Sequence, residues 1–188
     1  MQILKDDIKQ KIIEVSKRHF HKRGFEHTSM NDIASDVGIS TGNIYRYFKT
    51  KNQILNDILK KIEDRMENVL KAITESSIKE NYETIFHTLS EEIVKLASEE
   101  GESLQVLFHC GEMKQFNDFR ERIVSTIASA IEKNSKNEKI NAPVREALAL
   151  SLFDGFANIV KDANNNIEEL RNNLKTYSDV MVKNINLE

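Results

Sequence analysis

Between Thr28 and Lys51 the chain reads TSMNDIASDVGISTGNIYRYFKTK, and this stretch restricts the possible folds more than any other. Ser29 is of a type favoured at helix N-caps, and Asp32 stands three residues on, where a capping box places its acid. Met30, Ile33, Ala34 and Val37 then recur at helical spacing. Gly38 follows, where a left-handed residue ends a helix at little cost. Ser40 can cap a second short helix whose Ile44, Tyr47 and Phe48 share one face, and Thr50 with Gln53 can cap a third. Short helix, glycine-containing turn and short helix make a helix-turn-helix, the arrangement that sets a recognition helix in the DNA major groove.

The segments DIA, VGIS, TGNIYRYF and TK, spread over Asp32 to Lys51, closely resemble the DNA-binding domain of the TetR family of transcriptional regulators. A bare helix-turn-helix pattern is weak evidence. The Tyr45, Tyr47, Phe48 cluster, followed by Lys51 at a fixed distance from Gly38, makes this instance specific. At sequence level the resemblance covers roughly residues 8–60; beyond them only the helical layout is similar.

A single proline, six glycines and long 3.6-residue patterns leave little room for a sheet, so the expected class is all-α with about nine helices. The start, MQILKDDIKQ, carries charges where a signal peptide needs an apolar run, and no apolar stretch approaches membrane-spanning length. With one cysteine, Cys110, this predicts a cytosolic protein that makes no membrane contact. The overall charge of −3 hides an asymmetry. Residues 1–61 hold 12 Lys and Arg against 7 Asp and Glu, a net +5, which leaves 15 against 23, a net −8, for the rest. A basic N-terminal part facing phosphates accounts for that division.

The first helix is predicted from Leu4 to Arg23, with Ile8, Ile12, Val15, His19 and Phe20 inward and Lys9, Lys11, Lys17, Arg18, Lys22 and Arg23 outward. After the motif a long fourth helix is predicted from Lys51 to Ser76, and its apolar series from Ile54 to Ile73 serves two regions in turn. The expected division is 1–51 for DNA binding and 52–188 for ligand binding and dimerisation, with the fourth helix as link. Further helices are predicted over Tyr82–Ser98, Leu104–Gly111, Phe116–Lys133, Pro143–Ala163 and Ile167–Ile185, with an acidic turn at 99–102 and a polar loop at 134–142.

DNA binding needs donors to phosphates and side chains that reach base edges. Ser29 at an N-cap and Lys51 at the start of the fourth helix suit phosphates, since helix N-termini attract anions. Thr41, Gly42 and Asn43 open the recognition helix: Gly42 permits close backbone approach, and the other two are short hydrogen-bonding side chains. Arg46 can read guanine or hold a phosphate. The resemblance adds Tyr45 and Tyr47, at aromatic positions through which family members touch backbone and thymine methyls, and Asn31, where some relatives contact a base. It also marks a departure, because Thr41 stands where many relatives have lysine. Ile33, Ala34, Val37, Ile44 and Phe48 are expected to pack rather than to contact DNA.

The resemblance implies a small-molecule effector enclosed by the fifth to seventh helices. Phe86, Phe108, Phe116 and Phe119 lie there, with His87, His109, Cys110, Glu112 and Asn117 as polar candidates, so a largely apolar effector is expected. An aromatic stripe of this kind is also what a plain core looks like. The eighth helix is apolar on two sides, and Ala147, Ser151 and Gly155 make a stripe of small residues along it. Leu148, Ser151, Leu152, Gly155 and Phe156, with Leu170, Leu174, Tyr177 and Met181 of the ninth, are expected to form a four-helix homodimer interface, as the resemblance also implies. Burial against the fifth and seventh helices of the same chain is the competing reading.

His87 with Glu91 and His109 with Glu112 share helical faces, but no Glu-x-x-His occurs and no second cysteine exists for a soft site, so no metal is expected. Adjacent residues on a helix point about 100° apart, so His109 and Cys110 are not a nucleophile–base pair by adjacency, and no enzyme activity or cofactor is expected. The function expected is a homodimeric repressor that binds a palindromic double-stranded operator and is released by a small effector. The competing function is a helical ligand-binding or interaction protein that does not bind DNA.

Overall fold

The computed structural model describes residues 2–75, 82–109, 114–134, 140–163 and 166–185. Among the described residues there are eight helices and no strands: α1 (Gln2–Arg23), α2 (Met30–Val37), α3 (Thr41–Tyr47), α4 (Lys51–Glu75), α5 (Tyr82–His109), α6 (Lys114–Asn134), α7 (Ala142–Asp162) and α8 (Ile167–Ile185). The all-α class is as expected, and the difference in helix count lies at the acidic segment. There two helical segments meet at a kink with no loop between them. One residue, Glu100, departs from helical geometry (φ −131°, ψ 35°) and bends α5. Glutamates are good helix formers, and the apolar series resumes at Leu104 and Leu107, so a kink suffices where a loop was expected.

The caps hold α2 in register. Ser29 Oγ accepts from Asp32 N (3.1 Å), while Asp32 Oδ2 accepts from Ser29 N (2.8 Å) and from Ser29 Oγ (2.6 Å). At the other end Gly38 adopts φ 82°, and its N–H reaches Ala34 O and Ser35 O. Ile33, Ala34, Val37, Ile44 and Phe48 are all buried. They pack with Ile12, Val15 and Phe20 of α1 and with Ile54, Leu55 and Leu59 of α4, in a core that runs without a break to Val182.

The rest of the chain is built around α5, which packs on α8, α4, α1 and α7. Its buried polar groups are satisfied: Ser90 Oγ bonds Phe86 O (2.8 Å) and lies 2.7 Å from Ser178 Oγ of α8, and Gln105 Nε2 donates to Val160 O of α7 (2.8 Å). Charges tie α4 to its neighbours. Arg65 reaches Glu92 and Glu99 of α5, Lys61 meets Glu100 at the bend, and Arg122 of α6 meets Glu63 and Glu67.

The expected dimer residues divide. Leu152, Phe156, Leu170 and Leu174 are buried in this chain's own core. The reason lies in the small-residue stripe of α7. The side chain seated on it is Tyr177 of α8 in the same chain, with its phenol donating to Ser151 O (2.7 Å) and its ring edge-on to Phe156 at 5.4 Å. A Cβ at Gly155 would lie 2.2 Å from that phenol oxygen, so Gly155 is matched to an intrachain contact. Ser151 stays exposed, and Leu148, Gly155, Tyr177 and Met181 are half-buried.

Candidate nucleic-acid interface

The buried Ile44 anchors α3, and the rest of its circumference divides accordingly. Thr41, Gly42, Tyr45 and Arg46 are exposed together on one face, as an i, i+1, i+4, i+5 pattern requires. Asn43 and Tyr47 are half-buried at the margins. Tyr45 is 42% exposed, one of three large apolar side chains exposed among the described residues. Gly42 has nothing within 4 Å of where a Cβ would stand, so internal packing gives no reason for a glycine there. Asn31 is exposed on α2, beside the capping box.

The structure gives the two expected phosphate ligands other partners. The Ser29 hydroxyl proton is committed to Asp32, whose carboxyl is held below its ordinary value chiefly by that side-chain bond and then by the Ser29 backbone N–H. Lys51 is half-buried. Its ammonium donates to Phe25 O (2.5 Å) and Thr28 O (2.8 Å) and stands 4.1 Å from the centre of the Phe25 ring. Two further lysines read as outward-facing are also tied internally. Lys11 donates to Val37 O (2.9 Å) at the C-terminus of α2, and Lys9 pairs with Asp57 of α4 at 2.7 Å. A helix C-terminus carries partial negative charge, so Lys11 is favourably placed. Three-dimensional proximity of this kind has no signature in sequence spacing. Lys49, absent from the expected set, is exposed just after α3, and its ammonium donates to Tyr45 O (3.1 Å).

Of the expected effector-pocket residues, Phe108 and Phe119 line a small cavity of about 40 Å³. The other walls are Ile62 and Met66 of α4, Leu89, Ile93, Leu96, Leu104 and Leu107 of α5, Ile123 and Ile127 of α6, and Phe153, Phe156 and Ala157 of α7. Every one is apolar. Phe116 is buried behind it, 6.2 Å from Phe108 and 6.0 Å from Phe153, and Phe86 lies elsewhere in the core. Neither expected histidine joins the cavity. His87 faces Asp179 of α8 at 3.3 Å, and His109 is exposed with Nδ1 2.8 Å from Gln105 O. Asn117 is exposed, and Cys110 and Glu112 lie outside the described residues. Among the described residues no cluster of three metal-ligating side chains occurs, and no helix is long and apolar enough to cross a membrane.

Residues 12–58 match the family of bacterial regulatory proteins designated tetR. Over 47 residues the chain is 47% identical to the uncharacterized HTH-type transcriptional regulator YerO of Bacillus subtilis, covering 25% of this chain and 16% of that protein. Over 46 residues it is 41% identical to an HTH-type transcriptional regulator of Staphylococcus aureus (strain USA300), covering 24% of this chain and 25% of the other. These curated relatives are thus matched over a quarter of their length or less. The fold is shared much further. The TetR family regulator PfmR of Thermus thermophilus superposes with a TM-score of 0.72 at 14% identity, covering 94% of this chain and 98% of that one. SmeT, the repressor of the Stenotrophomonas maltophilia multidrug efflux pump SmeDEF, gives 0.73 at 12%, covering 94% and 89%, and its complex with triclosan gives 0.73 at 12%, covering 95% and 91%. The tetR family's sequence signature thus lies over the helix-turn-helix, and the fold of solved TetR family regulators extends along nearly the whole chain, so the protein is similar to that family in its DNA-binding segment and in its fold.

Proposed function

We propose that the protein is a ligand-responsive repressor that binds a palindromic operator as a homodimer and is released by a small apolar effector. The observation that carries this reading is that one helix serves both ends. α4 begins at Lys51, directly behind the recognition helix, and eleven residues on it supplies Ile62 and Met66 to the cavity wall. In this reading residues 1–51 read DNA, through Thr41, Gly42, Tyr45 and Arg46 with Asn31, Asn43 and Tyr47 at the margin, and residues 52–188 sense the effector and pair.

The cavity supports an apolar effector because it offers no hydrogen-bond partner to a polar one. Its volume gives a rationale for switching. Pockets for small-molecule ligands run to several hundred Å³, roughly tenfold more than the space present. An effector of that size fits only an arrangement in which the cavity walls have moved apart, and in this reading the wall that moves is α4. That is the differential affinity any induction requires. SmeT, whose fold is similar, takes triclosan, an instance of such chemistry on this architecture.

For the dimer, two of the three large apolar side chains exposed among the described residues, Val144 (40%) and Val180 (51%), lie on α7 and α8. With Leu148, Ser151, Tyr177 and Met181 they make a patch suited to a second copy across a two-fold axis. Two recognition helices would then enter successive major grooves about 34 Å apart.

Selection of duplexes from a randomised library by the purified protein tests this reading, followed by sedimentation of the protein with the selected duplex. Two chains per palindrome is the expected outcome. Failure to enrich any duplex, or a folded monomer at micromolar concentration, contradicts it.

A further inference from the structure

We infer that Lys51 is a positioning residue, whose ammonium locks the α1–α2 connection to the start of α4, rather than one of the phosphate ligands of the DNA-binding surface. This rests on the DNA-binding reading above and assigns one residue within it a different task.

An ammonium has three donors. Two of those of Lys51 are taken by Phe25 O and Thr28 O, both in the short connection between Gly24 and Ser29, and the charge stands over the Phe25 ring. The connection is otherwise held by few bonds: Thr28 N donates to Phe25 O (3.2 Å) and Thr28 Oγ1 to Gly24 O (2.9 Å). Phe25 itself is fixed edge-on to Phe20 of α1 at 5.0 Å. The residue after Thr28 is Ser29, the N-cap of α2, so whatever holds the Thr28 carbonyl sets where α2 begins. Lys51 is also the first residue of α4. A cation at a helix N-terminus is poorly placed with respect to the helix dipole, and carbonyl oxygens offset that disadvantage. Reaching out to a phosphate would leave the buried Thr28 without this partner and would turn the charge off the ring. The two helices of the reading head and the link helix therefore meet at one ammonium.

The test uses the whole protein and a duplex enriched from a randomised library. First, lysines of the wild type are acetylated competitively with acetic anhydride, free and DNA-bound, and read by mass spectrometry. Lys51 is expected to react at least tenfold more slowly than exposed Lys49 in the free protein, with no further protection on DNA. Reactivity of Lys51 like that of Lys49 in the free protein, lost only on DNA, overturns the inference.

Second, duplex affinity is measured against potassium chloride for Lys51→Met, Lys51→Arg and Lys49→Met. Each phosphate contact contributes about 0.9 to the slope of log K on log salt. Lys51→Met and Lys51→Arg are expected to weaken binding tenfold or more with the slope unchanged, because a planar guanidinium does not replace a compact ammonium at a site of two fixed acceptors and a ring. A slope lower by one contact in Lys51→Met, with Lys51→Arg binding as the wild type does, overturns the inference. If a variant does not fold, the labelling of the wild type still decides. If no duplex is enriched, it is the DNA-binding reading that fails, and the labelling of the free protein reports on Lys51 separately.

Discussion

At Gly42 the fold gives no reason for a glycine, whereas at Asp32 it gives a clear reason for an acid. Gly42 sits in the first turn of α3 with open space around it, and a helix with alanine in place of glycine is more stable by roughly 0.5–1 kcal/mol. Gly42→Ala should therefore leave the urea midpoint unchanged or raised, while weakening duplex binding. Tight binding by the variant would show that nothing approaches the backbone there. Asp32 serves the fold. Its carboxyl is lowered from 3.8 by the Ser29 hydroxyl first and the Ser29 backbone N–H second. A group whose folded value is depressed contributes stability that is present above the unfolded value and is lost as the pH falls through the folded one. Between about pH 5 and pH 2 the wild type should therefore lose more stability than Asp32→Asn, as followed by circular dichroism in urea; parallel curves would contradict the cap's role. The Asp32 cap was legible in sequence, because capping chemistry acts over three or four positions. The partners of three lysines were not, since they are remote along the chain: Lys9 meets Asp57, Lys11 meets Val37 and Lys51 meets Phe25.

Among the elements, α4 and α5 carry the link between reading head and cavity. The periodic run Ile54, Leu55, Ile58, Leu59, Ile62, Met66 showed α4 to be long and doubly committed, and it is buried throughout. What periodicity could not show was which apolar residues face an internal space. Phe86 and Phe108 sit on the same helix with the same chemistry, yet only Phe108 lines the cavity. Phe153, which read as one more apolar position of a two-sided helix, proves central: Phe108, Phe116 and Phe119 lie within 6.4 Å of it, centre to centre. Phe153→Ala should cost about 3–5 kcal/mol in urea unfolding and open room for a small aromatic molecule. Raised thermal stability of the variant in benzene, but not of the wild type, is the expected result. A loss below about 1 kcal/mol would mean that the cavity collapses on truncation and is no pocket.

For the molecule as a whole, the chain's own core takes up part of the surface that the sequence reading assigned to a second copy. A helix apolar on two sides was read as buried on two sides; in this chain the buried residues of α7 lie on one side, Val144, Ala147 and Ser151 on the other are exposed, and one of the partners at the small-residue stripe is Tyr177 of the same chain. The patch around Val144, Leu148 and Val180 is what remains for a second copy. Pairing would bring two copies of the α3 face to one duplex, and the basic excess of residues 1–61 would meet its phosphates. The most direct measurement of DNA reading by this face is duplex affinity as a function of salt for the wild type and for Tyr45→Ala with Arg46→Ala. These two side chains are exposed, and their removal takes nothing from the core. A steep salt dependence is expected for the wild type, and for the double variant a native melting temperature, a lower slope and affinity reduced at least a hundredfold, about 3 kcal/mol. Equal affinity and equal slope in the two proteins would contradict recognition through α3.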